Sequence, residues 1–222
     1  MYARLLALFS LLCVSLLGAR REPADRAVVD VYLNALSQPA DPSVLEQMRR
    51  EMKGVLGKAH IELRWAYSQS SLPKEGAAHL VVMELKGSCE GRPDELPSVL
   101  TQGLKLASSA SADGRILPFT WLDCEALNRF LGSSAAEAKT PKHYGRAMGR
   151  LLAHELYHVL TDSEAHMASG ITKPRLSVAD LTADHLDFAP EAMAKLLSFS
   201  HEANAGAPAV EAGFDVLSGD GR

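Results

Sequence analysis

From Thr140 to Leu160 the chain reads TPKHYGRAMGRLLAHELYHVL, and this stretch limits the fold more than any other. Thr140 followed by Pro141 is a helix start. Threonine can cap the first free amides, and proline at the first helical position gives up an N–H that has no partner there. Met148, Leu151, Leu152, Ala153, Leu156, Val159 and Leu160 then spread round the circumference instead of along one stripe. A helix that is apolar nearly all round is a buried one. The pattern therefore predicts a buried helix over 141–160.

Three polar residues inside that helix need an explanation. At ~100° per residue, Ala147, Leu151, His154 and His158 share a stripe, with Glu155 about a quarter turn away. Unpaired polar groups in a core cost ~1–3 kcal/mol each, and a divalent cation relieves that cost. Imidazoles at i and i+4 can share one zinc at ~2.0–2.1 Å. The intervening glutamate then reaches a water without touching the ion, which is the logic of the HExxH motif.

A catalytic zinc needs a third protein ligand and an open fourth position, and His166 is the expected third ligand. On a continued helix it would lie ~12 Å beyond His158 and on another face. The helix must therefore break, and Thr161-Asp162-Ser163 prefers turns and caps. Glu164, Asp180, Asp184 and His185 are the reserve candidates.

HELYHVLTDSEAH resembles the active-site helix and following turn of zincin metallopeptidases, nearest in style to the metzincins. It is also similar to secreted bacterial proteins with a HELYH helix and a histidine at this longer interval. Metzincins read HExxHxxGxxH. Here that glycine is missing, and His166 follows His158 by eight residues instead of six. The likeness is tight from about Gly145 to Ile171 and loose over the rest. It implies a zincin-like α/β (α+β) domain with one catalytic Zn2+ on His154, His158 and His166. It also implies peptide-bond hydrolysis with Glu155 as general base and then general acid. A metzincin-style methionine turn would fall to Met193, since Met167 lies too close to His166. Tyr144, His143, His185 and His201 are candidate oxyanion donors, and Tyr157 reads as packing.

Elsewhere the chain alternates strand and helix signals. AVVDVYLNAL (27–36) reads as a strand, and Asp41-Pro42 opens a helix whose apolar spacing runs over 43–56 until Gly57. Residues 60–66 and 79–85 read as strands. SSASADG reads as a surface connection. RILPFTWL (115–122) reads as a strand that Pro118 relegates to an edge, where an extended substrate could pair. Short helices are expected over 124–131 and 189–199. The order predicts one α/β domain with a small twisted mixed sheet, spanning 20–202, and a mobile tail over 203–222.

The opening residues MYARLLALFSLLCVSLLGA have the layout of a secretory signal peptide, residues 1–19. A retained anchor or a lipidated Cys13 are the alternatives. Cleavage leaves Cys89 and Cys124, most simply a disulfide in an oxidising compartment. The net charge of -4 with mixed signs offers no basic face, which argues against a nucleic-acid partner. The expected partner is a peptide or protein substrate, met by a secreted monomer without stable membrane insertion. The rival reading is a secreted protein that keeps zinc without catalysis.

Overall fold

The computed structural model describes residues 26–34, 40–67, 79–90, 105–132 and 140–205. The expected signal peptide and residues 206–222 of the expected tail lie outside them. In chain order the elements are β1 (Ala27–Asn34), α1 (Pro42–Leu56), a 3-10 turn (Gly57–Ala59), β2 (Ile61–Ala66) and β3 (Leu80–Lys86). Next come β4 (Ala107–Ala112), β5 (Arg115–Asp123), α2 (Cys124–Gly132), α3 (Pro141–Thr161), α4 (Val178–Thr182) and α5 (Pro190–Ala205). The sheet runs β2-β1-β3-β5-β4. Its first three pairings are parallel and only β4 runs antiparallel, against β5, so the class is mixed α/β.

Local chemistry accounts for the boundaries. Asp41 caps α1 by accepting from the Ser43 amide at 2.8 Å, with proline next in line. Thr140 caps α3 the same way through the His143 amide. The strands alternate as a half-buried sheet should. Val29, Val31, Leu33, Val81, Met83, Leu85 and Leu122 face the core beneath Val44, Met48 and Met52 of α1 and Leu152 and Leu156 of α3. On the other face Asp30 is buried and accepts from Nε and Nη2 of Arg64, its parallel neighbour in β2, both at 2.8 Å.

Helix α3 is buried without interruption from Tyr144 to His158. It meets α1 at very short range because Gly145 and Gly149 face it. A Cβ there would stand 2.5 Å from the Val44 carbonyl oxygen and 2.7 Å from that of Met48, closer than any side chain tolerates. Two arginines are buried with it. Arg150, fully enclosed, binds Glu51 of α1 at 2.7 Å and the Asp180 carbonyl. Arg146 donates to the Thr182 and Ala183 carbonyls. These charge-assisted bonds tie the segment after α3 back onto the helix.

Three expectations need correction. SSASADG is no surface connection: most of it is β4, and Asp113 and Gly114, both at positive φ, form the tight turn into β5. Asp-Gly is the pair such a hairpin turn favours. Strand β5 consequently lies inside the sheet, and β4 is the edge. Pro118 is tolerated because it falls between the pairs Ser109–Thr120 and Ser111–Ile116, where the register shifts and no ladder donor is needed. Finally, the last helix, expected over 189–199, is longer: α5 runs from Pro190 to Ala205.

The Cys89–Cys124 disulfide is present, with a Cα–Cα distance of 5.1 Å. It joins the segment just after β3 to the first residue of α2. No helix among the described residues is long and apolar enough to cross a membrane.

Candidate metal centre

Helix α3 presents His154 and His158 one turn apart and ends three residues later. Thr161 closes its hydroxyl onto the Tyr157 carbonyl at 2.8 Å, and Asp162 turns left-handed at φ 43°. Both the Asp162 and Ser163 amides reach back to the His158 carbonyl. Asp162 thus occupies the conformation a helix-ending glycine usually takes. Its carboxylate is in turn fixed by the Ile116 amide at 2.8 Å and by Arg115 at 3.3 Å. The break falls within the expected Thr161–Ser163 stretch, and the chain then curls back over the helix.

That return brings His166 to the other two rings. The ring centroids are 4.8, 4.8 and 5.1 Å apart, nearly an equilateral triangle. One nitrogen from each ring lies within 4.8 Å of the others, and among the described residues this is the one group of its kind. His154, Glu155 and His158 are all less than a tenth exposed, while His166 is exposed. The cluster therefore opens to solvent on the His166 side.

The hydrogen bonds decide which nitrogens face inward. His154 Nδ1 lies 2.8 Å from the Ile171 carbonyl oxygen, and His158 Nδ1 lies 2.5 Å from that of Ser163. A carbonyl can only accept, so each Nδ1 carries the proton and each Nε2 presents a lone pair. The two Nε2 atoms are 3.0 Å apart. Burial, with a smaller push from His158 and His166, holds His154 down at about 4, so a shared proton is a poor solution near neutrality. A divalent ion satisfies both lone pairs at once. Backbone carbonyls that orient the rings from behind are the usual support for such an ion. The donor set therefore fits zinc.

The carbonyls are themselves held. Ile171 donates its amide to the Asp187 carbonyl at 2.9 Å. The adjoining Gly170, at φ 74°, pairs with Phe188 where a Cβ would come within 2.5 Å of the Asp187 carbonyl oxygen. Lys195 of α5 bonds the Ser163 hydroxyl at 3.2 Å. A ring contact at 6.3 Å packs buried Tyr157 against Phe188.

Glu155, about a quarter turn round α3 from His154, reaches the sheet. Ser109 of β4 donates its hydroxyl to Glu155 Oε2 at 2.8 Å and stands 3.1 Å from the Glu155 carbonyl oxygen. Burial raises the carboxyl above its ordinary range, and Ser109 and the nearby His158 offset part of that rise. A carboxyl so raised is better matched to passing protons near neutrality than an exposed one.

The remaining candidates have other tasks. Asp180 forms the capping box of α4 with Ser177 and pairs with Lys173 at 2.6 Å. Although burial pushes it up, those hydrogen bonds bring it to about 2. Asp184 pairs with Arg146 at 3.1 Å. Neither they nor the exposed Glu164 and His185 join the histidine cluster. Tyr144 donates to the Cys124 carbonyl at 2.9 Å, and His143 bonds Thr140 at the start of α3. Both stand about three turns from His154. His201 lies exposed on α5, and Met193 sits within that same helix instead of in a turn. Ser109 and the two anchoring carbonyls escaped the sequence reading. The Asp113-Gly114 hairpin signal would have placed β4 and hence Ser109 beside β5.

Neither a protein-family model nor a curated protein sequence matches the chain. Among solved structures it is similar to a zinc-dependent peptidase from Methanocorpusculum labreanum. That match has 9% identity and a TM-score of 0.48, over 76% of this chain and 99% of the other. It is also similar to an archaemetzincin from Methanopyrus kandleri, at 11% identity and a TM-score of 0.45, over 80% of this chain and 97% of the other. Likeness at this level carries neither activity nor substrate from one chain to another.

Proposed function

We propose that this chain is a secreted zinc-dependent metallopeptidase, with His154, His158 and His166 as ligands of one ion and Glu155 as general base. The observation that supports it best is the pair of Nε2 atoms facing each other at 3.0 Å with both Nδ1 atoms committed to carbonyls. Such an arrangement has no good state near neutrality without a cation. A zinc ion held there by three neutral rings supplies Lewis acidity, bringing the pKa of a water toward ~7 and polarising a carbonyl.

The protein's own groups do the rest. Glu155 takes a proton from the attacking water and returns it to the departing amine nitrogen. Its burial raises its proton affinity, which favours the first half of that exchange. Helix α3 and its enclosing core hold the base and two ligands on one rigid element, so their mutual geometry does not depend on substrate. The antiparallel edge strand β4 runs past Glu155, and among the described residues nothing pairs with its outer side. An extended peptide adding to that edge by backbone pairing would pass beside the base. The disulfide suits an oxidising compartment.

Metal analysis and a cleavage assay test the reading together. Purified wild-type protein should hold one zinc per chain and hydrolyse fluorescein-labelled casein. Glu155→Gln should keep the zinc and lose the hydrolysis, and His166→Ala should lose most of both. Stoichiometric zinc with no cleavage by the wild type would instead identify a non-catalytic zinc-binding protein. Absence of zinc from metal-replete wild type would end the proposal.

A further inference from the structure

Glu155 belongs to α3, yet the group that holds its carboxylate comes from the sheet, 46 residues earlier in the chain. A buried carboxylate with a long side chain has several rotamers open to it, and only a fixed one keeps an oxygen aimed at a proton. Ser109 has a single hydroxyl hydrogen. The carboxylate oxygen at 2.8 Å is both the nearer and the charged acceptor, compared with the carbonyl at 3.1 Å, so it receives that hydrogen. We infer that Ser109 is a positioning residue for the general base. Its hydroxyl fixes Glu155 Oε2 against β4.

The placement of Ser109 gives this bond its meaning. It pairs with Thr120 of β5, immediately before the register shift between Ser109 and Ser111. Bulges of this kind re-aim a side chain relative to a regular ladder. The far end of the same hairpin is held to the end of α3, where the Asp162 carboxylate takes the Ile116 amide. The β4–β5 hairpin is therefore tied to the histidine helix at two points, through Ser109 of β4 and Ile116 of β5, and the first of them is the base itself.

This inference rests on the metallopeptidase reading, and its test has a readout that does not. In 13C-labelled protein, the Glu155 side-chain carboxyl resonance is identified by its loss in Glu155→Gln. Ser109→Ala should displace it in the metal-free and the zinc-loaded protein alike. Ser109→Thr, which keeps the hydroxyl and suits a strand, should return it. With labelled casein, Ser109→Ala should lower kcat by roughly tenfold, the scale of one hydrogen bond to a charged group. KM and zinc content should stay unchanged, and Ser109→Thr should recover most of the rate. An unmoved carboxyl resonance in Ser109→Ala overturns the assignment, as does a moved resonance with an unaltered kcat. If the wild type cleaves nothing, the peptidase reading falls. The assignment of Ser109 as the group that orients this carboxylate is then decided by the resonance alone.

Discussion

Protons and a metal ion compete for the same nitrogen in His154. Its folded-state value is about 4 because of burial, against ~6.5 for an exposed histidine. Between those values the unfolded chain binds a proton that the folded, metal-free protein refuses. Stability is therefore fully present above about pH 6.5 and falls as the pH drops toward 4, by on the order of 3 kcal/mol. Urea midpoints of chelator-treated protein at pH 7.5, 5.5 and 4.5 should show this decline. His154→Gln should show a shallower one, and equal slopes for the two would refute the account. The histidines and Glu155 could be recognised in the sequence because they lie within thirteen positions of one another, on a helix and the turn after it. Ser109 could not, since nothing in a serine among alanines and serines announces its partner across a sheet.

At the scale of elements, two glycines and one aspartate set the frame of the site. On an open helix, replacing Gly149 by alanine would gain ~1 kcal/mol. Here the added carbon meets the Met48 carbonyl oxygen at 2.7 Å, which reverses the sign. Gly149→Ala should lose about 1–3 kcal/mol net, readable as a lowered denaturant midpoint at unchanged m-value. Asp162 acts differently, since its left-handed backbone and its bonds to Ile116 and Arg115 both serve to end α3. Asp162→Ala should cost roughly 1–2 kcal/mol and raise the zinc dissociation constant, because the turn that delivers His166 loosens. Asp162→Asn keeps an acceptor and tolerates positive φ, so it should retain most of the affinity in a chelator competition. The capped starts of α1 and α3 and the strands β1, β2, β3 and β5 were legible from spacing and punctuation. Strand β4 was not, because its small polar residues have no hydrophobic alternation, and α4 was too short to show a period.

For the molecule as a whole, the disulfide and the metal centre are separate supports. The bridge spans 35 residues of sequence separation, from just after β3 to the start of α2. Replacing both cysteines by alanine should cost about 2–4 kcal/mol while zinc stoichiometry stays the same. A loss of zinc in that variant would show the two to be coupled. Zinc removal from the intact protein should lower Tm, since a ligand of the folded state alone stabilises it by mass action.

The buried central helix, its two histidines and the carboxylate between them follow from residue order alone. Helical periodicity and capping act over a few residues, and the cost of burying a polar group depends on its type. Long-range geometry decided the remainder: that β4 forms the edge in place of β5, that a serine from it grips Glu155, and that Asp180 and Asp184 serve structure instead of metal. Those outcomes depend on which segments pack together. That choice is made by the summed burial and hydrogen bonding of the whole chain, to which no single stretch holds the key.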